Sequence, residues 1–176
     1  WTGQGTVERV CTFDVDNDGD LDALMQAGTT LQLYVQDDVR GWSLSPLEFP
    51  ALPEDLRSIV AVDYDHEGDL DLLLCGAFGA RVWRNDGAAE PSKGGKYSDA
   101  SAESGLPQQG AYEWCITEDF DGDNDVDILL GGAQRVWLAD SLRAGRFQRV
   151  EAAYGSWSGA NTAPLVADYD GDAQPD

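Results

Sequence analysis

Basic residues are scarce in this chain. Lys and Arg number 11 against 33 Asp and Glu, a formal net charge of -22 over 176 residues. No basic run occurs, so phosphate backbones would meet no cluster of cations, and nucleic acid is not expected as a partner. The same deficit argues against an anionic membrane surface. Long apolar runs are missing too. The longest, Leu72 to Ala80, is interrupted by Gly76 and Gly79 and falls short of the roughly 20 residues a membrane helix needs. No membrane insertion is expected of this segment. Cysteine is limited to Cys11, Cys75 and Cys115. An odd count without short spacing argues against a disulfide framework or a zinc centre, and each Cys lies in an apolar run that reads as buried strand. No GxSxG, P-loop or HExxH pattern is present. His66, the single histidine, has no evident orienting partner and is expected to be exposed and inert. With no nucleophile–base constellation, no enzyme activity is expected.

What the chain does have is a core and a repeat. Hydrophobic residues make up 42% of it, with six Trp, six Tyr and five Phe, enough to bury a sizeable interior despite the charge. Four nine-residue segments are near copies: DVDNDGDLD from Asp14, DYDHEGDLD from Asp63, DFDGDNDVD from Asp119 and DYDGDAQPD from Asp168, spaced 49, 56 and 49 positions apart. A period of about 50 implies one supersecondary unit per repeat. Each loop is preceded by a short apolar run such as VCTF, SIVAV or WCIT. The first three are followed by LDALMQAG, LDLLLCGA and VDILLGGA, then by LQLYV, ARVWRND and QRVWLAD. A fourth run starts near Gly41-Trp42, near Gly95 with Tyr97, and near Gly145 with Phe147. Four short strands joined by turns make one propeller blade.

The expected fold is therefore all-β: a partial β-propeller of three four-stranded antiparallel blades and the start of a fourth. The blades are placed at 1–53, 54–109 and 110–158, with 159–176 supplying one strand and one loop of a truncated fourth. As an incomplete ring, the chain is expected to be a piece of a larger propeller.

The acidic loops carry the chemistry. The candidate ligands at odd positions are Asp14, Asp16, Asp18, Asp20 and Asp22 in loop one, and Asp63, Asp65, Glu67, Asp69 and Asp71 in loop two. Loop three has Asp119, Asp121, Asp123, Asp125 and Asp127, and loop four has Asp168, Asp170, Asp172 and Asp176. If the loop curls, several carboxylates converge. Two of them about 5 Å apart repel by about 3 kcal/mol at an effective dielectric of 20, so the cluster calls for a cation. An all-oxygen, flexible set favours Ca2+ over zinc or copper, and over magnesium, which retains its waters. Position six is Gly19, Gly68 and Asn124, residues that tolerate a left-handed turn. Position seven can then offer its backbone carbonyl. An EF-hand would need Glu at position twelve, where this chain has Met25, Leu74 and Leu130. Isolated acidic turns commonly hold no metal, but four in equivalent positions point to a designed site. Loop one, with Asp at all five odd positions, is expected to bind best.

At these loops, and in VAVDYDHEGDLDLLLCGAFGARVWRNDG and KYSDASAESGLP, the sequence resembles the FG-GAP/VCBS repeats of integrin α-subunit propellers and of bacterial ASPIC/UnbV proteins related to cartilage acidic protein. The resemblance implies a ring of about seven blades, with calcium in the outer part of blades. Positions one, three, five and nine would give side chains, and position seven a backbone oxygen. It also implies an extracellular, cell-surface or periplasmic location, and a role in adhesion, recognition or scaffolding with a protein or glycan ligand. The alternative is part of a polysaccharide-active propeller enzyme or a lectin-like sugar-binding propeller. Trp83 and Trp137 are aligned as equivalent strand positions, with Tyr34 matching them, and are expected to pack between blades. Trp42, Trp114 and Trp157 lack this regularity and are candidates for a recognition surface.

Overall fold

The computed structural model describes residues 5–37, 41–86, 95–132, 135–150 and 165–171. Within them the chain is all-β, with no helix. The first antiparallel sheet comprises β1 (Arg9–Phe13), β2 (Asp22–Ala27), β3 (Thr30–Asp37) and β4 (Gly41–Leu44). The second comprises β5 (Leu56–Val62), β6 (Asp71–Gly76), β7 (Gly79–Asn85) and β8 (Tyr97–Asp99). The third comprises β9 (Trp114–Glu118), β10 (Asp127–Gly132), β11 (Arg135–Ser141) and β12 (Phe147–Arg149). In each sheet the strands pair in sequence order, as in a meander. Three such blades form a partial β-propeller. Of the fourth repeat, only 165–171 falls within the described residues.

Pleating sends alternate side chains to opposite faces, and the blades use both. In β6 all six residues are buried, so after Asp71 the run LLLCG is continuously apolar rather than alternating. Leu72 and Leu74 join Phe13, Leu24 and Leu33 of the first sheet in one core. Leu73 and Cys75 join Cys115, Ile128 and Leu130 of the third sheet in the other. Each fully buried Leu contributes about 1.5–3 kcal/mol of hydrophobic stabilisation.

The second and third strands of each blade pair across an equal gap of two residues. Ala27 pairs with Thr30, Gly76 with Gly79 and Gly132 with Arg135. This equal spacing corrects one alignment. Counted from the last Asp of each loop, Trp83 pairs with Leu72, Tyr34 with Ala23, and Ala139 with Ile128. Tyr34 and Trp83 are therefore equivalent, but the third member is Ala139. Trp137 pairs with Leu130, two residues away. A two-residue slip keeps a side chain on the same face, so Trp137 still packs against the core between the second and third sheets.

The links between blades are also packed. After β4, Glu48 bridges Lys96 and Phe49 stacks on Tyr97 at 5.1 Å. Before β9, Pro107 accepts a hydrogen bond from the Ala80 amide at 2.8 Å. Gly79, at φ +96, is pressed so close that a Cβ there would lie 2.4 Å from the Pro107 carbonyl oxygen. Trp114 is buried and lies against Gly131, so it is a core residue rather than a recognition surface. Trp42 is 54% exposed. Trp157 lies outside the described residues.

Candidate metal centres

Each acidic loop links the first and second strands of its blade: 14–22 between β1 and β2, 63–71 between β5 and β6, and 119–127 between β9 and β10. The curl comes from two left-handed residues. Position six takes positive φ at Gly19, Gly68 and Asn124, as its residue types suggest. Position four does so too, at Asn17, His66 and Gly122. This second turn was missed in the sequence, although Asn, His and Gly are among the residues most tolerant of that region.

The first Asp of each loop folds the turn back on itself. Asp14 accepts the amides of Asp18 (3.1 Å) and Gly19 (2.9 Å). Asp63 accepts Gly68 at 3.1 Å. Asp119 accepts Gly122 (2.7 Å), Asp123 (3.1 Å) and Asn124 (2.9 Å). In the fourth repeat, Asp168 likewise accepts the Gly171 amide at 2.6 Å. Asp172 and Asp176 lie outside the described residues.

The last Asp of each complete loop is a brace. Asp22, Asp71 and Asp127 are almost fully buried, and both oxygens of each accept backbone amides. One amide comes from position two: Val15 at 2.7 Å, Tyr64 at 3.2 Å and Phe120 at 3.0 Å. The other comes from the third strand: Gln36 at 2.8 Å, Asn85 at 2.7 Å and Ser141 at 2.9 Å. The brace ties the loop to the blade's interior, a role in addition to any metal contact.

The carboxylates do converge. One oxygen from each of Asp14, Asp16 and Asp18 lies within 4.8 Å of the others. The same holds for Asp63, Asp65 and Asp71, and for Asp119, Asp121 and Asp127. A fourth set, Asp121, Asp123 and Asp140, adds a residue that sequence reasoning missed. Asp140 lies on β11, thirteen residues after the brace, where the other blades have Val35 and Arg84. Lining the blades up from the brace would have exposed it. Asp170 is in none of these groups, and neither are Glu67 and the position-seven residues Asp20 and Asp69. The Asp125 carboxylate, also at position seven, turns to Arg143 Nε at 2.7 Å. Its side chain is therefore committed elsewhere, leaving the backbone carbonyl as what that position can offer.

Crowding shows in the acidities. Burial and then the neighbouring loop acids push the carboxyls of Asp16 and Asp69 up. Burial raises Asp22 and Asp127 against the pull of their backbone donors, and carries Asp71 to about 8. Asp140 is raised by burial and by Asp121, Asp123 and Asp125. Asp125 is held low by its hydrogen bond to Arg143. His66 is exposed as expected, but its Nε2 stands 3.9 Å from Asp125. It thus joins loop two to loop three across the blade boundary.

Residues 14–74 and 119–176, more than half of the chain, match the FG-GAP-like repeat. The chain belongs to the FG-GAP-like repeat family. Both matched stretches open on the first Asp of an acidic loop and run through a second loop. With the three sheets described above, the family makes this chain a β-propeller module. No curated protein matches it significantly. No described helix is long and apolar enough to cross a membrane.

Proposed function

We propose that this FG-GAP-repeat module binds Ca2+ in its acidic loops and serves as an extracellular scaffold for adhesion or recognition. The observation that carries the reading is a pair of orphaned oxygens. Asp16 Oδ1 and Asp63 Oδ1 are shut off from water and have no hydrogen-bond partner. Both belong to residues of the converging clusters. Leaving a buried acceptor unpaired costs about 1–3 kcal/mol, more when it is charged, and a hard cation is the partner that would satisfy it. The donor set fits calcium, since the converging side-chain groups are all carboxylates. In loop one the holders would be Asp14, Asp16 and Asp18, in loop two Asp63, Asp65 and Asp71, and in loop three Asp119, Asp121, Asp123, Asp127 and Asp140. The carbonyls of position seven would complete them. The bound ion would neutralise the clustered charge and fix the loops that join the strands of each blade. The module's role is recognition rather than catalysis, carried by blade edges held in place by the metal loops. The ligand class that fits is an extracellular protein or a glycan.

Titration calorimetry with calcium on the chelator-treated protein tests the metal reading. Binding heat should fall in Asp16→Ala, Asp65→Ala and Asp121→Ala. No heat in the parent protein would refute it. Incubation with polysaccharides, followed by product analysis, tests the absence of catalysis.

A further inference from the structure

Two of the three thiols meet where two blades meet. Cys75 lies on β6 and Cys115 on β9, strands of different sheets that pack directly on each other. Both are buried in the core shared by the second and third sheets. Cys75 Sγ is 4.0 Å from the carbonyl oxygen of Tyr112, just before β9 begins. Each thiol responds electrostatically to the other, and Ser58 on β5, the strand partner of Cys75, borders both. Cys11 sits apart on β1, half-buried, packed on the other core. All three are free thiols here.

We infer that Cys75 and Cys115 form a redox pair able to close into a disulfide that stitches the second blade to the third. The contacts between these blades are otherwise non-covalent, core packing with a few hydrogen bonds and ion pairs, so a covalent link between β6 and β9 would prevent the two sheets from separating. Such a link acts chiefly on the unfolded chain, by restricting the segment between its ends. That segment runs from β6 through β7 and β8 to β9.

The oxidant is a small-molecule disulfide such as oxidised glutathione. One cysteine thiolate attacks a sulfur of that disulfide and expels one thiolate. The second cysteine then attacks the resulting mixed disulfide and expels the other. The two cysteine protons go to the two departing thiolates, and the two electrons reduce the small molecule to two thiols. In the docked state both sulfurs are buried in the core between the sheets, out of reach of a disulfide in solution, and Cys115 together with burial pushes the Cys75 thiol up. Exchange therefore belongs to folding, before the two sheets close, and the finished bond is shielded afterwards.

The test is to refold the full chain in a buffer of oxidised and reduced glutathione, and in parallel with a reductant. Free thiols are then alkylated in denaturant and peptides mapped by mass spectrometry. The expected result is a peptide joining Cys75 to Cys115, two hydrogens lighter than its parts, with Cys11 alkylated. The reduced sample should show all three alkylated. Cys11→Ala should keep the link, and the oxidised form should melt higher than the reduced one. Cys75→Ala and Cys115→Ala should each abolish both the link and the difference in melting. Full alkylation of all three cysteines after oxidative refolding would overturn the inference, as would a link that involves Cys11. Reading the Cys11→Ala protein as well keeps the test valid if a core variant fails to fold.

Discussion

Asp71 accepts the backbone amide of Asn85 at 2.7 Å across the second blade, and its other oxygen accepts Tyr64 at 3.2 Å. The carboxylate thus couples the entry of the acidic loop to the blade's third strand, with or without an ion. Asp71→Ala orphans two amides, a cost of about 2–6 kcal/mol. Chemical denaturation in excess chelator should show that loss. An effect seen only with calcium present would mean that Asp71 is a ligand and not a brace.

Calcium should raise the melting temperature. At ten times the dissociation constant each occupied site adds about 1.4 kcal/mol, and several sites share this chain. Thermal melts in millimolar calcium and in chelator make the comparison. Coincident midpoints would count against the proposed function.

The sites should be unequal, and the third loop should rank higher than its sequence suggests. Asp140 adds a carboxylate beside Asp121 and Asp123. The equivalent residue of the second blade is Arg84, a cation paired with Asp86 that also feels the charge of Asp65. Asp140→Asn should weaken calcium binding at loop three, and Arg84→Ala should strengthen it at loop two. Calorimetry on the two variants reads both directions, and unchanged affinities would show that neither residue reaches the ion.

Without metal, stability should fall as pH rises. Burial lifts the Asp71 carboxyl from an ordinary 3.8 to about 8. Between those values the folded chain holds a proton that the unfolded chain has released, so raising pH favours unfolding. The stability is full below about 4 and lost through about 8. Melts in chelator should therefore be lower at pH 8 than at pH 5, and calcium should narrow the gap while releasing protons. A chelated protein that melts higher at pH 8 would contradict this.

Gly131 should tolerate no side chain. A Cβ there would lie 2.0 Å from the Trp114 ring, whose indole is buried. Gly131→Ala should cost about 1–3 kcal/mol through overpacking. Equilibrium unfolding measures it, and a neutral result would mean that Trp114 has room to move.

The blade pattern was legible in the sequence because it is local. A 50-residue period, short apolar runs and turn residues specify a four-stranded meander, and the family match agrees with it. The acidic positions were legible for the same reason, since all but one of the clustered carboxylates fall within nine consecutive residues. What depends on strand register or blade docking was not. Trp137 was matched to Trp83 by the shared letters RVW, whereas the turn length sets Ala139 in that place. Asp140 reaches loop three only because β11 pairs beside β10. The brace role of Asp22, Asp71 and Asp127 needs an amide fourteen residues away. Cys75 and Cys115 look unrelated until their blades pack. Composition and repeat fix what each blade is made of, because hydrophobic period and turn chemistry act between near neighbours. Which carboxylates, thiols and rings meet was decided by the docking of one sheet on the next, because those contacts join residues that the chain itself keeps apart.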